Sequence, residues 1–422
     1  MTSGGKVFRV VIAGGGSAGL TMTNRLARVF GATNVALVEP SKVHYYQPLW
    51  TLVGGGLKSF EQSAKPMGEF VPSNVHWEKQ NVSGFDPDNN KVMLENGDHL
   101  NYEYLIVALG ITPDYQRVPG LLEALETAPN VCTNYDAKYV SKTFPAIQNT
   151  KKGTALFTHP DTPVKCAGAP QKIMYLAEDQ IRKSGLRNDV DVAFAHPGPA
   201  IFGVKKYAEQ LAKVVAEKDI KTYFHHALKE LDYKNNLAVF HNIKEPDSPV
   251  KVSIPYEMIH VSPPFKPPSP IASNPKMAAA QSGYLDVNTQ TLQHNKYENI
   301  FGLGDNINIV STKTAAAAAA QTGIVQKNLQ SVMDKKKPSV FYDGYTSCPL
   351  VTGANKGILA EFDGNGEPLQ TFPSFFGQHK EKKIWYYLKA HVMPTLYWYG
   401  MVKGPWTGPK ALRKMFTLGM GR

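Results

Sequence analysis

The feature that most constrains this chain is a glycine triplet near its start. Gly14, Gly16 and Gly19 stand in G-x-G-x-x-G spacing, directly after the apolar run Val7–Ala13 and at the opening of a helix-forming stretch that reaches Phe30. In that setting the first glycine makes a tight turn, the second lets the backbone approach a pyrophosphate, and the third packs helix on strand. The helix N-terminus then offers free N–H groups and positive potential to the anion. The next apolar run, Val35–Val38, ends in Glu39, 25 positions after Gly14, where a carboxylate can accept hydrogen bonds from a ribose. A glycine triplet alone says little, but strand, turn, helix, strand and acid together predict a βαβ dinucleotide site.

Further elements predict an α/β chain with two Rossmann-like domains in tandem. Residues 104–109 form a strand closing on Gly110, and Gly153–Thr158, a helix over Ala169–Lys183 and a strand over 190–195 make a second unit. The proline-rich segment 262–275 reads as an irregular crossover. A short strand at 300–303 ends in Gly304-Asp305, an alanine-rich helix starts near Thr314, and 357–363 is strand-like. We divide the chain into a first dinucleotide-binding part at 1–150, a second Rossmann-like domain at 151–275, the return of the first domain at 276–340, and a C-terminal region at 341–422. In the second unit the turn that would cradle a nicotinamide dinucleotide, residues 159–170, has one glycine, three prolines and Cys166. Proline lacks the N–H such a cradle needs, and the following strand ends in His196-Pro197 with no acid for a ribose. NAD(P)H is therefore not the expected donor, and thiol chemistry takes its place.

Three cysteines in 422 residues cannot staple a secreted fold, and no C-x-x-C pair or Cys/His cluster suggests a metal. Cys166 precedes a helix whose first turn suits Pro170, so helix potential and Lys165 or Lys172 would lower its pKa. Cys348 lies in Tyr-Asp-Gly-Tyr-Thr-Ser-Cys-Pro-Leu at 342–350. A single cysteine is most often a small buried hydrophobe, and this is the better reading for Cys132. His159 and Asp161 are proton shuttles near Cys166 or, more simply, loop formers.

The charge is concentrated. Nine Lys/Arg against Glu381 give residues 379–422 a net +8 of the chain's +11. Trp385, Tyr386, Tyr387, Tyr397, Trp398, Tyr399, Trp406 and Phe416 interleave with those charges, which favours an interfacial membrane segment over nucleic acid. Pro394 and Pro405 are expected to break it into short amphipathic pieces, and no run of about 18 apolar residues exists to span a bilayer.

Two stretches, Leu105-Ile-Val-Ala-Leu-Gly110 and Ile300-Phe-Gly-Leu-Gly-Asp305, resemble the later fingerprints of two-dinucleotide-binding flavoproteins, in which the aspartate bonds the ribityl chain of FAD. With Val38-Glu39-Pro40, Tyr46-Gln-Pro-Leu-Trp50, Val164-Lys-Cys-Ala-Gly-Ala-Pro-Gln-Lys172, Ser311-Thr-Lys-Thr-Ala-Ala316 and the Cys348 motif, nearly the whole chain resembles the sulfide:quinone oxidoreductases of mitochondrial type. That resemblance implies FAD held by Gly14, Gly16, Ser17, Ala18, Gly19, Glu39, Gln47, Val82, Gly110, Asp305, Lys313, Thr314, Ala315 and Ala316. It implies a Cys166/Cys348 disulfide, or a trisulfide, attacked by hydrogen sulfide on the Cys348 side. Two electrons then pass through FAD to ubiquinone, and the sulfane sulfur goes to glutathione or sulfite. Lys172 and Lys389 would steady anionic sulfur, and Phe362, Phe375 and Tyr386 would line the quinone pocket. Cys132 occupies a place like that of an extra relay cysteine in some bacterial members. The address implied is the face of the mitochondrial inner membrane, with a homodimer possible. A type II NADH:quinone dehydrogenase and a redox-sensing flavoprotein without enzymatic turnover remain as competing readings.

Overall fold

The computed structural model describes residues 6–244, 250–309 and 313–416. Ser311 and Thr312 of the Lys313 motif, and the last six residues of the basic tail, lie outside the described residues.

The strand Val7–Ala13 is buried from Val10 onward and lies at the centre of the first sheet. It pairs in parallel with Val35–Val38 on one side, Val10 facing Val35, and with His99–Val107 on the other, Ile12 facing Ile106. A strand buried on both faces reads as a continuous apolar run, which is why Val-Val-Ile-Ala shows no alternation. His76–Glu78 extends the sheet at one edge, and Val82–Asp86 and Lys91–Leu94 form an antiparallel meander at the other. Ile300–Gly302, almost two hundred residues later, returns to pair in parallel with His99–Val107. The glycine turn behaves as its spacing predicts. A Cβ on Gly19 would sit 1.7 Å from the Gly14 carbonyl oxygen, so no larger residue lets the Ser17–Phe30 helix pack this close.

The second sheet has five parallel strands in the order Val131–Cys132, Met258–His260, Gly153–Thr158, Val190–His196, Lys221–Phe224. Its edge strand Val131–Cys132 comes from upstream of residue 151. Antiparallel strands His226–Asp232, Leu237–Asn242 and Lys251–Pro255 form a separate three-stranded layer. The alanine-rich helix, Ala315–Met333, starts as expected, with the Thr314 side chain capping the Ala317 N–H at 3.0 Å. After it comes a buried hairpin, Thr346–Gly353 with Lys356–Phe362, in which Cys348 faces Ala360. The helix Ala169–Lys183 packs on the first of these strands.

The tail departs from expectation in two ways. Pro394 does not break it: the chain stays helical from Lys383 to Met401, and two widened π-type segments, Leu388–Val392 and Leu396–Met401, flank the turn that holds the proline. Nor do its large aromatics form one outward face. Trp385, Tyr397, Trp398 and Met401 are buried in the body of the protein, while Ile384, Tyr387, Val392, Tyr399, Met415 and Phe416 are exposed. Among the described residues no helix is long and apolar enough to cross a membrane.

The tail is thus a packed element. Trp398 lies against Phe70 with ring centroids 5.2 Å apart and edge-on to Tyr397. Trp398→Ala is expected to cost ~3–5 kcal/mol of stability, the range for deleting a buried large aromatic, read as a lowered thermal midpoint. A loss under about 1 kcal/mol would show that this ring cluster contributes little to the fold.

Candidate active site

A single cavity of about 870 Å³ runs from the glycine turn to the tail. Gly14, Gly16, Ser17 and Ala18 line one end, with Glu39, Gln47 and Val82 beside them. Gly110, Asp305, Lys313, Thr314, Ala315 and Ala316 line its middle, and Cys166, Lys172 and Lys389 its wall. Two expected residues do not line it: Gly19, whose place is the helix contact described above, and Cys348, whose sulfur points away toward Cys166. Phe362, Phe375 and Tyr386 do not line it either, and Phe375 is 78% exposed. The apolar lobe at that end is made instead by Phe372, Leu388, Met393, Trp406 and Leu412.

The two cysteines, 182 positions apart, meet here. Cys166 Sγ and Cys348 Sγ are 3.4 Å apart and both are free. Cys166 sits at φ +52°, a left-handed backbone that non-glycine residues seldom adopt, and its N–H donates to the Lys313 carbonyl at 2.8 Å. The loop thereby hangs on the segment that carries Lys313. Gly168, two residues on, is the feature sequence reasoning passed over. A Cβ there would lie 2.4 Å from Cys348 Sγ and 2.6 Å from Leu350, so the sulfurs approach only because this position has no side chain. The signal was present as the one glycine in a proline-rich turn.

Electrostatics separate the two thiols. Cys166 is held well below the ordinary thiol range, first by the hydrogen bond from Cys348 and then by Lys172 and Lys389, against the opposing effect of burial. Cys348 moves well above it, through that same bond, burial and the Cys166 charge. Lys172 Nζ donates to Cys166 Sγ at 3.3 Å and lies 3.8 Å from Cys348 Sγ. Burial works to lower the Lys172 pKa, but the two sulfurs outweigh it and the net shift is upward. Lys389 goes the other way, to about 7, because burial and Lys172 both disfavour its charge. Its Nζ donates to the Pro48 carbonyl at 2.7 Å. Lys165, the other lysine considered, reaches Gln47 at 3.4 Å and is not a partner of Cys166.

The remaining sequence candidates have other partners, although the His159 ring also bonds the backbone of Ala167, beside Cys166. Asp161 is paired with Lys229 at 2.5 Å and Arg117 at 3.7 Å. His159 is buried, packs on His196 with centroids 4.4 Å apart, and bonds the Pro160 carbonyl. Cys132 is buried, bonded to the Ile259 carbonyl, and burial pushes its pKa up to about 12.

Residues 8–143 match the family described as pyridine nucleotide-disulphide oxidoreductase. Over 98% of its length the chain is 47% identical to the mitochondrial sulfide:quinone oxidoreductase of Mus musculus, covering 90% of that protein. It is 42% identical over 96% of its length to the enzyme of the same name from Dictyostelium discoideum, covering 88% of it. The chain belongs to the mitochondrial sulfide:quinone oxidoreductase family. The fold agrees: the solved sulfide:quinone oxidoreductase of Aquifex aeolicus superposes with a TM-score of 0.78 at 18% identity, over 98% of this chain and 96% of that one.

FAD is the cofactor of this flavoenzyme, and the cavity fits it. A Cβ on Gly16 or Gly110 would meet nothing within 4 Å, so open space adjoins both turns. No acid occupies the first turn of the Ser17–Phe30 helix and no side chain caps it, leaving its N–H groups to an anion. The Glu39 carboxylate is fixed by the Gly15 and Ser41 N–H groups at 2.7 and 2.8 Å at the end of its strand. Asp305 and Lys313 line the middle of the same cavity.

Two variants follow. Gly168→Ala is expected to drive Cys348 away from Cys166 and to lower sulfide-dependent turnover at least tenfold with the fold retained; an unchanged rate would show that the close approach is not needed. Lys172→Gln should move the pH midpoint of Cys166 alkylation upward, so that reaction at neutral pH slows, and Cys348→Ala should move it further, because the Cys348 hydrogen bond is the larger influence. A midpoint unaffected by either variant would contradict this ordering.

Proposed function

We propose that the chain oxidises hydrogen sulfide at the Cys166/Cys348 pair, passing two electrons through FAD to a quinone and the sulfur to a small thiol or sulfite. One observation carries the reading: two sulfurs 182 positions apart in the chain face each other across 3.4 Å beside a buried lysine, and Cys166 lines the wall of the cofactor cavity. In the oxidised resting state the pair is joined directly or by one bridging sulfur.

Hydrosulfide attacks sulfur on the Cys348 side. The bond to the Cys166 side breaks and Cys348 carries the persulfide, while the bonding pair leaves on the Cys166 side, as the Cys166 thiolate from a direct disulfide or as the Cys166 persulfide anion, which keeps the bridging sulfur, from the bridged form. Cys166 suits the role of leaving group because the Cys348 hydrogen bond, Lys172 and Lys389 already favour its anion. A thiolate or sulfite then takes the outer sulfur, leaving a second thiolate on Cys348, and loss of two electrons from the pair restores the bridge. When bound, FAD accepts those two electrons and returns them to a quinone, which takes up two protons. Lys172 and Lys389 hold the accumulating negative sulfur in a dry site. The FAD contacts are those proposed from the sequence, Gly19 acting through packing alone.

The apolar lobe of Phe372, Leu388, Met393, Trp406 and Leu412 suits a quinone head group, and its position under the tail supports delivery from a bilayer. The exposed Ile384, Tyr387, Val392 and Tyr399, interspersed with lysines, would rest on the mitochondrial inner membrane.

The deciding experiment is an anaerobic titration. Sulfide should bleach the flavin absorbance and NADH should not, while Cys348→Ser should keep its FAD and lose both bleaching and quinone reduction. Undiminished turnover in Cys348→Ser would overturn the assignment, and bleaching by NADH would favour the NADH dehydrogenase reading.

A further inference from the structure

The mechanism leaves one buried polar chain unused. Tyr397, in the second π-type segment of the tail, lies 2.7 Å from Ser17 Oγ and 2.6 Å from His44 Nε2. His44 also bonds the Gly15 carbonyl, and burial pushes its pKa down to about 4, so the ring is neutral. A neutral imidazole carries one N–H, which fixes every proton in the chain. The nitrogen facing Gly15 donates to the carbonyl, so Nε2 accepts from the Tyr397 hydroxyl, whose oxygen in turn accepts from Ser17. Gly15 and Ser17 belong to the turn that faces the cofactor's pyrophosphate, while Tyr397 belongs to the tail.

The surroundings make the link rigid. His44 and Tyr397 are each 3% exposed, their rings stack at 5.9 Å, and Tyr46 lies 4.4 Å from Tyr397. Farther along the Ser17–Phe30 helix, Arg25 donates to the Gly404 carbonyl and Arg28 to that of Lys403, each at 2.5 Å. The helix that opens the dinucleotide site is therefore clamped to the tail at both ends.

We infer that Tyr397 is a positioning residue for the dinucleotide turn, and that docking of the tail and binding of FAD stabilise one another through the Ser17–Tyr397–His44–Gly15 chain. Linkage makes the coupling reciprocal: whatever tail docking adds to FAD affinity, FAD adds to tail docking.

The test uses the full chain, with FAD removed and returned. Tyr397→Phe keeps the ring and loses the hydroxyl, and FAD binding followed by flavin fluorescence should weaken roughly three- to tenfold, the range for one neutral hydrogen bond. Hydrogen exchange of residues 396–404 should slow when FAD is added to the parent protein and respond less in the variant. Arg25→Ala with Arg28→Ala loosens the tail without touching the cavity, and by linkage it too should weaken FAD binding, which keeps the test decisive if Tyr397→Phe folds poorly. Unchanged FAD affinity in both variants, or tail exchange indifferent to FAD, would overturn the inference. So would a stability loss of equal size with and without FAD, since that marks a purely structural role. FAD binding by the parent protein is read in the same experiment, so the cofactor assignment is judged separately.

Discussion

The close approach of Cys166 and Cys348 is the constraint on which the rest of the molecule depends. In the proposed cycle two sulfurs carry negative charge in a buried interior, where an uncompensated charge is very costly. Lys172 supplies the compensation at 3.3 Å, and it can do so because it stands six residues after Cys166, on the helix Ala169–Lys183 that the cysteine loop feeds. One thiolate and one ammonium balance. A second buried ammonium is then in excess: burial first, and then the Lys172 charge, lower Lys389 to about 7, while the two sulfurs raise Lys172. In the proposed cycle, when both sulfurs are anionic, the two lysines match them in number.

A strand's alternation organises the space around this pair. Along Thr346–Gly353 successive side chains point to opposite faces. Cys348 is directed to Cys166, whereas Ser347 and Pro349 line the cavity. One strand thus presents Cys348 to Cys166 on one face and cavity-lining residues on the other. The partner strand carries Glu361, whose buried carboxylate accepts from Tyr345 at 2.6 Å, Thr371 at 2.7 Å and Gln378 at 2.6 Å.

What sequence reasoning could see, and what it could not, divides along the same physical lines. The Val7–Ala13 strand, the glycine turn, the Ser17–Phe30 helix and the Thr314 cap are set by local chemistry, and each stands where the residues put it. The meeting of Cys166 with Cys348 was reached only through resemblance, because no local pattern encodes a contact across 182 positions. The choice between Lys165 and Lys172 depended on helix phase beyond an irregular loop. Phe375 was misplaced in the quinone lobe because an aromatic residue near a basic tail looks the same in sequence whether it faces water or a cavity.

The tail shows most sharply how tertiary context decides. Alternating aromatic and basic residues suggested a helix with one membrane face, yet the alternation serves two partners at once. Tyr397 and Trp398 turn inward to His44, Tyr46 and Phe70, while Tyr399 remains 61% exposed beside Lys65 and Lys403. The widened π-type segments shift helix phase, so adjacent aromatics serve both the interior and the proposed bilayer surface. An element with that double duty cannot change its outer contacts without straining its inner ones. The same few residues that would touch lipid therefore bear on the turn proposed to hold the cofactor.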